Sequence, residues 1–162
     1  MKDTLVIYYS FSGNSKKVAE YVKGKIDADL LELEPAIPFS DDYDAVVDEW
    51  QNNDIKRDVE IEPINIDLAN YSKIVLITGT WWYGITPVMK KFLKENDLSG
   101  KDVIVAASNA GWIGHCFKDY ETLVKGNIRG KLDLVFSAEE GYRDEQITSN
   151  NEIDNWLQCL NK

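Results

Sequence analysis

Thr4-Leu5-Val6-Ile7-Tyr8-Tyr9-Ser10, running directly into Phe11-Ser12-Gly13-Asn14-Ser15, decides how the rest of the chain is read. The segment Thr4 to Ser10 is rich in β-branched and aromatic residues and almost continuously apolar, the pattern of a strand buried on both faces. After the polar turn, Val18, Ala19, Val22 and Ile26 share one helical face while Lys16, Lys17, Glu20 and Lys23 fall elsewhere, which predicts an amphipathic helix.

The same alternation continues downstream. A short strand is expected at Leu30 to Leu33. After Pro35 and Pro38, Ser40 is a candidate N-cap for a helix from about Asp41 to Asn52, with Ala45, Val46 and Trp50 on its core side. From Asp54 to Tyr71 the pattern weakens, with Glu60, Glu62 and Asp67 interleaved among isoleucines, and no element is assigned. Ile74 to Gly79 reads as a third strand and Pro87 to Glu95 as a helix carrying Val88, Phe92 and Leu93. The turn Leu98-Ser99-Gly100-Lys101 leads into a fourth strand, Val103 to Ser108, and a helix from about His115 to Val124. Lys131 to Ser137 gives a fifth strand, and Ile153, Trp156, Leu157 and Leu160 form the stripe of a terminal helix. Strands alternating with helices imply an α/β fold: a parallel sheet with helices on both faces. Five strands fit the doubly wound order 2-1-3-4-5 better than the six-stranded dinucleotide fold.

A chain of 162 residues with 44% apolar residues suits one domain, residues 1–162. Its early apolar run is too short for a signal peptide or membrane span, which predicts a cytoplasmic protein without membrane contact. Cys116 and Cys159 show no CxxC or metal-ligand spacing, so reduced thiols are expected and neither a disulfide framework nor a zinc site. The net charge of -10 argues against nucleic-acid binding. An acidic face would suit a basic protein partner, although a merely solubilising surface accounts for the charge equally well. The oligomeric state is not fixed by the sequence.

In such a sheet a ligand sits beyond the carboxyl ends of the strands, at the switch point between strands one and three. Unusual residues cluster there. The first loop, Ser10 to Ser15, groups three hydroxyls and an amide around a glycine at a helix start, where free amides and the helix dipole favour a phosphate. An ordinary capped turn would use the same residue types. There is no GxxxxGK pattern followed by Ser or Thr, and no GxG, which removes the Walker and dinucleotide fingerprints. The second loop, Thr80-Trp81-Trp82-Tyr83-Gly84, sets three large aromatics together; a planar ring could stack there, or core packing could absorb at least one of them. The third loop contains Asn109, Gly111 and Trp112, a second wall or a simple lid over a helix end. One phosphate anchor and two aromatic walls describe a pocket for a phosphorylated flat ring.

At this point the chain resembles the flavodoxin family over nearly its whole length. Ser10-Phe11-Ser12-Gly13-Asn14-Ser15 is similar to the family's phosphate loop, hydroxyl, any residue, hydroxyl, Gly, Asn, hydroxyl, at every specified position. Asp41-Asp42-Tyr43-Asp44, Trp81-Trp82, Pro87-Val88, Phe92-Leu93 and Leu98-Ser99-Gly100-Lys101 resemble a bacterial flavodoxin-like subgroup. The resemblance implies FMN as cofactor, its phosphate held by Ser10, Ser12, Gly13, Asn14 and Ser15. It places Trp81 and Trp82 beside the isoalloxazine, within a loop whose Thr80, Tyr83 and Gly84 are also candidates. Ser108, Asn109, Ala110, Gly111 and Trp112 would stand on the other side. Family members often place glycine directly after the aromatic, where its peptide can turn toward the flavin N5; here Gly84 lies beyond Trp82 and Tyr83. With no long insertion in the fifth strand, the chain resembles the short-chain form.

Three functions are compatible with these residues. In the first, an FMN-binding electron carrier docks to a reductase or redox enzyme through its acidic surface, and that surface lowers the potential by disfavouring the anionic reduced flavin. In the second, an FMN-dependent NAD(P)H:quinone-type oxidoreductase uses His115 as a proton donor, although His115 reads more readily as a polar helix-start residue. The third is a cofactor-free partner-binding module. A phosphate-accepting receiver would need acids where Ser10 and Thr80 stand.

Overall fold

The computed structural model describes residues 2–39, 44–46 and 59–161. The opening strand, β1 (Thr4–Tyr8), is buried throughout because it has a parallel neighbour on each side, β2 (Ala28–Glu32) and β3 (Lys73–Trp81). Beyond β3 the chain turns back in a two-residue strand, β4 (Gly84–Ile85), antiparallel to the end of β3. Then β5 (Asp102–Asn109) pairs with β3, and β6 (Asn127–Val135) pairs with β5, both parallel. The order β2-β1-β3-β5-β6 is the doubly wound arrangement expected from the sequence; β4 is the one addition, a side strand off this path.

Successive strand residues point to opposite faces, and that alternation sorts the core into two layers. Leu5, Ile7, Ile74, Leu76, Val103 and Val105 face α2 (Pro87–Glu95) and α3 (Cys116–Leu123), which bury Val88, Phe92, Leu93 and Tyr120 against them. Val6, Tyr8, Val75, Ile77, Ile104 and Ala106 face α1 (Asn14–Lys25) and α4 (Asn150–Leu157), which contribute Val18, Ala19, Val22, Ile153, Trp156 and Leu157. Each fully buried aliphatic side chain contributes about 1.5–3 kcal/mol.

The predicted α2 agrees at both ends. Pro87 sits in its first turn, and the Thr86 side chain accepts from the Met89 amide, so start and cap are both local. The last strand is different: the sequence suggests Lys131 to Ser137, whereas β6 is Asn127–Val135. It is the edge strand, half of it alternates between exposed and partly buried residues, and its first half therefore lacks an apolar signature. Of the predicted helix from Asp41 to Asn52, only Asp44 to Val46 falls among the described residues, and it is helical there; Trp50 lies outside them. From Val59 onward the unassigned stretch is a strap. Val59, Ile61, Ile64, Ile66 and Leu68 pack on the first layer, Ile61 bridges Pro35, and Leu68–Asn70 forms one 3-10 turn capped by Asp67. Among the described residues, no helix is long and apolar enough to cross a membrane.

Candidate functional site

The loops after β1, β3 and β5 converge at the carboxyl ends of the three central strands. In the first, Gly13 adopts φ 97°, a left-handed conformation that favours glycine, and forms the N-cap of α1. Ser10 Oγ accepts from the Gly13 amide at 3.0 Å and Ser12 Oγ from the Asn14 amide at 3.4 Å. Each hydroxyl thus accepts through a lone pair and keeps its own O–H to donate. The amides of Ser15 and Lys16, in the first turn of α1, find no acceptor among the described residues. The Ser15 hydroxyl turns inward instead, 2.9 Å from Ser108 Oγ, tying the loop to the end of β5.

The second loop is a tight hairpin. Trp81 pairs with Gly84 across it, and the two residues between, Trp82 and Tyr83, both have positive φ, 48° and 66°. That is the twist a two-residue hairpin requires, normally supplied by Asn-Gly. Here it is imposed from outside. The His115 amide donates to the Tyr83 carbonyl at 2.6 Å, Gly114 packs directly against the Tyr83 backbone, and the Ile85 amide donates to Asp119 Oδ2 at 3.1 Å. The other Asp119 oxygen meets His115 Nδ1 at 2.9 Å. A Cβ on Gly84 would lie 2.6 Å from Asp119 Oδ2 and 2.7 Å from His115 Cε1, so this glycine makes room for the pair behind the hairpin.

Trp81 packs edge-on against Phe39, Phe11 and Tyr9, with ring centroids 5.0, 5.5 and 6.3 Å away. It is the aromatic that core packing absorbs. Trp82, Tyr83 and Trp112 remain 41%, 59% and 71% exposed, with Tyr83 and Trp112 in tilted contact at 5.6 Å. In the third loop Asn109 Oδ1 accepts from the Gly111 amide at 2.9 Å, and its Nδ2 donates to Asp133 at 2.6 Å.

These loops enclose a cleft of about 900 Å³. Of the residues singled out from the sequence, Ser12, Asn14 and Ser15 line it from the first loop, Thr80, Trp81, Trp82 and Tyr83 from the second, and Ser108, Asn109, Ala110 and Trp112 from the third. Ser10, Gly13, Gly84 and Gly111 shape the loops without lining the cleft. His115 does not line it either: it caps α3 and pairs with Asp119. Behind the hairpin, burial pushes the Cys116 thiol up to about 11, and the Asp119 and Asp133 charges push the same way against a contact with Thr80 Oγ1. A floor of hydroxyls and amides at one end and exposed rings at the other can take an anionic group joined to a flat apolar one.

The sequence matches the Flavodoxin family model over residues 3–158. The chain belongs to the flavodoxin family. Among solved structures, this flavodoxin is similar to a candidate flavoprotein of Bacteroides eggerthii, with 21% identity, 99% of this chain and 98% of that one covered, and a TM-score of 0.73. It is similar to a Lactobacillus acidophilus flavoprotein solved in complex with FMN, with 24% identity, 97% and 99% covered, and a TM-score of 0.64. Flavodoxin 2 of Bacillus cereus shares 18% identity over 99% of this chain and 94% of its own, with a TM-score of 0.55. No curated protein matches the sequence.

Several lining residues of this flavodoxin have no signal in the sequence pattern. Phe11 lies inside the hydroxyl-rich loop, but nothing in its residue type marks it as lining. Phe136, Ser137 and Arg143 reach the cleft from the chain after β6, and Asp44 and Val46 from the segment before the strap.

Proposed function

We propose that this flavodoxin binds FMN non-covalently and works as an electron carrier in the cytoplasm. The observation that carries the reading is the joined floor and rim of one cleft. The Ser12 hydroxyl, braced by the neighbouring Ser10–Gly13 contact, and the first-turn amides of Ser15 and Lys16, which have no acceptor among the described residues, suit a phosphate, and Trp82, Tyr83 and Trp112 leave apolar area for a flat ring to cover. The loop itself carries no acidic side chain. The L. acidophilus relative was solved with FMN bound, which supports the same cofactor here.

Bound FMN would supply the redox chemistry. The chain's part is to hold and shield it: Ser10, Ser12, Asn14 and the first-turn amides of α1 fix one end, and the aromatic rim keeps water from the ring. A carrier is favoured over a quinone reductase by the shortage of proton donors. The titratable side chains lining the cleft, among the described residues, are Asp44, Tyr83 and Arg143, and His115 is held by Asp119 outside it. The acidic surface, net charge -10, would receive a basic patch on a reductase or acceptor protein.

Titration of the purified protein with FMN tests the reading. Flavin absorption bands and fluorescence quenching on binding are expected, with no steady-state NADH or NADPH oxidation when a quinone is added. Quinone-dependent turnover would replace the carrier with the reductase. A preparation that takes up no flavin would leave a cofactor-free module.

A further inference from the structure

The chain after β6 folds back as a loop sewn to the strand at both ends. The Phe136 segment bridges Gln146, the Ser137 amide donates to the Glu145 carbonyl at 2.8 Å, and the Ile147 amide to the Val135 carbonyl at 2.8 Å. Thr148 Oγ1 accepts from the Val135 amide at 2.8 Å and donates to the Asp133 carbonyl at 3.0 Å. At the tip, inner turns bond Tyr142 to Glu139 and Glu145 to Tyr142, with Gly141 at φ 85°. This tip rests on the loop after β1. Asn14 Nδ2 donates to the Arg143 carbonyl at 3.1 Å and Lys17 Nζ to the Asp144 carbonyl at 3.5 Å. The two contacts join segments 129 and 127 residues apart in sequence.

The backbone of Arg143 is therefore fixed against the residue that follows the N-cap of α1, and Arg143 lines the same cleft as Ser12, Asn14, Ser15 and Ser137. It is the one cationic residue lining the cleft among the described residues. The ion pairs of the described residues engage Lys2, Lys25, Lys91, His115, Arg129 and Lys131, and leave the Arg143 guanidinium to other work. A protein of net charge -10 repels an approaching phosphate, and hydroxyls and amides offer only partial charges against that field. A guanidinium supplies a full charge in a fork that fits phosphate oxygens.

Resting on the FMN reading above, we infer that Arg143 is the charge partner of the FMN phosphate, so that this chain selects FMN over riboflavin through the loop after β6 as well as through Ser10 to Ser15. Riboflavin has the same ring and side chain without the phosphate, so it separates contact with the anion from contact with the ring.

The test is to titrate FMN and riboflavin, by flavin fluorescence quenching, into the wild type, Arg143→Ala and Arg143→Lys, at low and high ionic strength, with circular dichroism confirming that all three fold. Arg143→Ala is expected to weaken FMN by about ten- to a hundredfold, the range of a charge-assisted contact, and to leave riboflavin affinity unchanged. Arg143→Lys retains more FMN affinity than the alanine variant, and added salt weakens FMN binding more in the wild type than in Arg143→Ala. Unchanged FMN affinity in Arg143→Ala, or equal losses for FMN and riboflavin, would overturn the inference while leaving FMN as the cofactor. A wild type that binds neither flavin would remove both.

Discussion

The loop after β1 and the hairpin after β3 both line the cleft, and they reach unusual backbone conformations by different routes. The first places its left-handed residue on a glycine, Gly13, and satisfies the Gly13 and Asn14 amides with its own serine hydroxyls. The second places Trp82 and Tyr83 at φ 48° and 66°, a conformation that costs roughly 1–2 kcal/mol for each residue with a Cβ. What offsets that cost lies in another element: the His115 amide, the Gly114 backbone and the Asp119 carboxylate, all around the start of α3. The polar end of the cleft is largely a local solution. The aromatic end is held in place by tertiary contacts, at the site where three large rings are left facing solvent.

The contrast breaks most visibly at Gly114. A Cβ there would overlap the Tyr83 backbone, and its φ of 59° already disfavours a side chain. Gly114→Ala is expected to cost about 3 kcal/mol in urea unfolding and to shift tryptophan emission as the hairpin moves. A cost under about 1 kcal/mol would mean that the start of α3 does not hold the hairpin.

The same support predicts a pH dependence. The Cys116 thiol is pushed up to about 11, mainly by burial, so the unfolded chain loses this proton before the folded one does. Its contribution is fully present below the ordinary thiol range and is lost as pH rises from about 9 toward 11, by about 2 to 3 kcal/mol in all. Buried Tyr9 and Tyr120 are shifted upward as well, so the wild type is compared with Cys116→Ala, whose urea midpoint should fall less steeply over that interval. Parallel declines would assign the alkaline loss to the tyrosines.

Replacing Trp82-Tyr83 by Asn-Gly sharpens the contrast by giving the hairpin residues that favour its twist. The cofactor-free protein should gain about 2 kcal/mol, and FMN affinity should fall about tenfold as the exposed rings disappear. If stability falls instead, those rings contribute more packing than their exposure suggests.

How much of this was legible follows the same division. The strand and loop from Thr4 to Ser15 are readable because burial on both faces gives a continuous apolar run, and because glycine and hydroxyls mark a helix start, whether as a phosphate loop or as an ordinary capped turn. Pro87–Glu95 is readable because its cap and first-turn proline are adjacent in sequence. The hairpin is hidden because Trp82-Tyr83 carries no turn residue; only the fold, through residues about thirty positions later, makes it turn. The start of β6 is hidden by its exposed edge. Arg143 is hidden because its partner, Asn14, lies 129 residues away and no local pattern marks a long-range contact.

Gly13→Ala tests the local half of the contrast, and its expected effect is the smallest. Nothing lies within 4 Å of a Cβ built at Gly13, so the substitution meets no clash, and its cost is that of holding alanine at φ 97°. About 1 kcal/mol of stability should be lost, read from the urea midpoint. FMN affinity should fall by more than that loss would suggest, because an alanine relaxing toward negative φ swings the Gly13 and Asn14 amides off Ser10 and Ser12 and re-aims both hydroxyls. A stability loss of about 3 kcal/mol would show that the loop, too, is clamped from outside, through Asn14 on Arg143 and Ser15 on Ser108. The two sides of the cleft would then share one mechanism, with tertiary contacts fixing the phosphate end as firmly as the aromatic one.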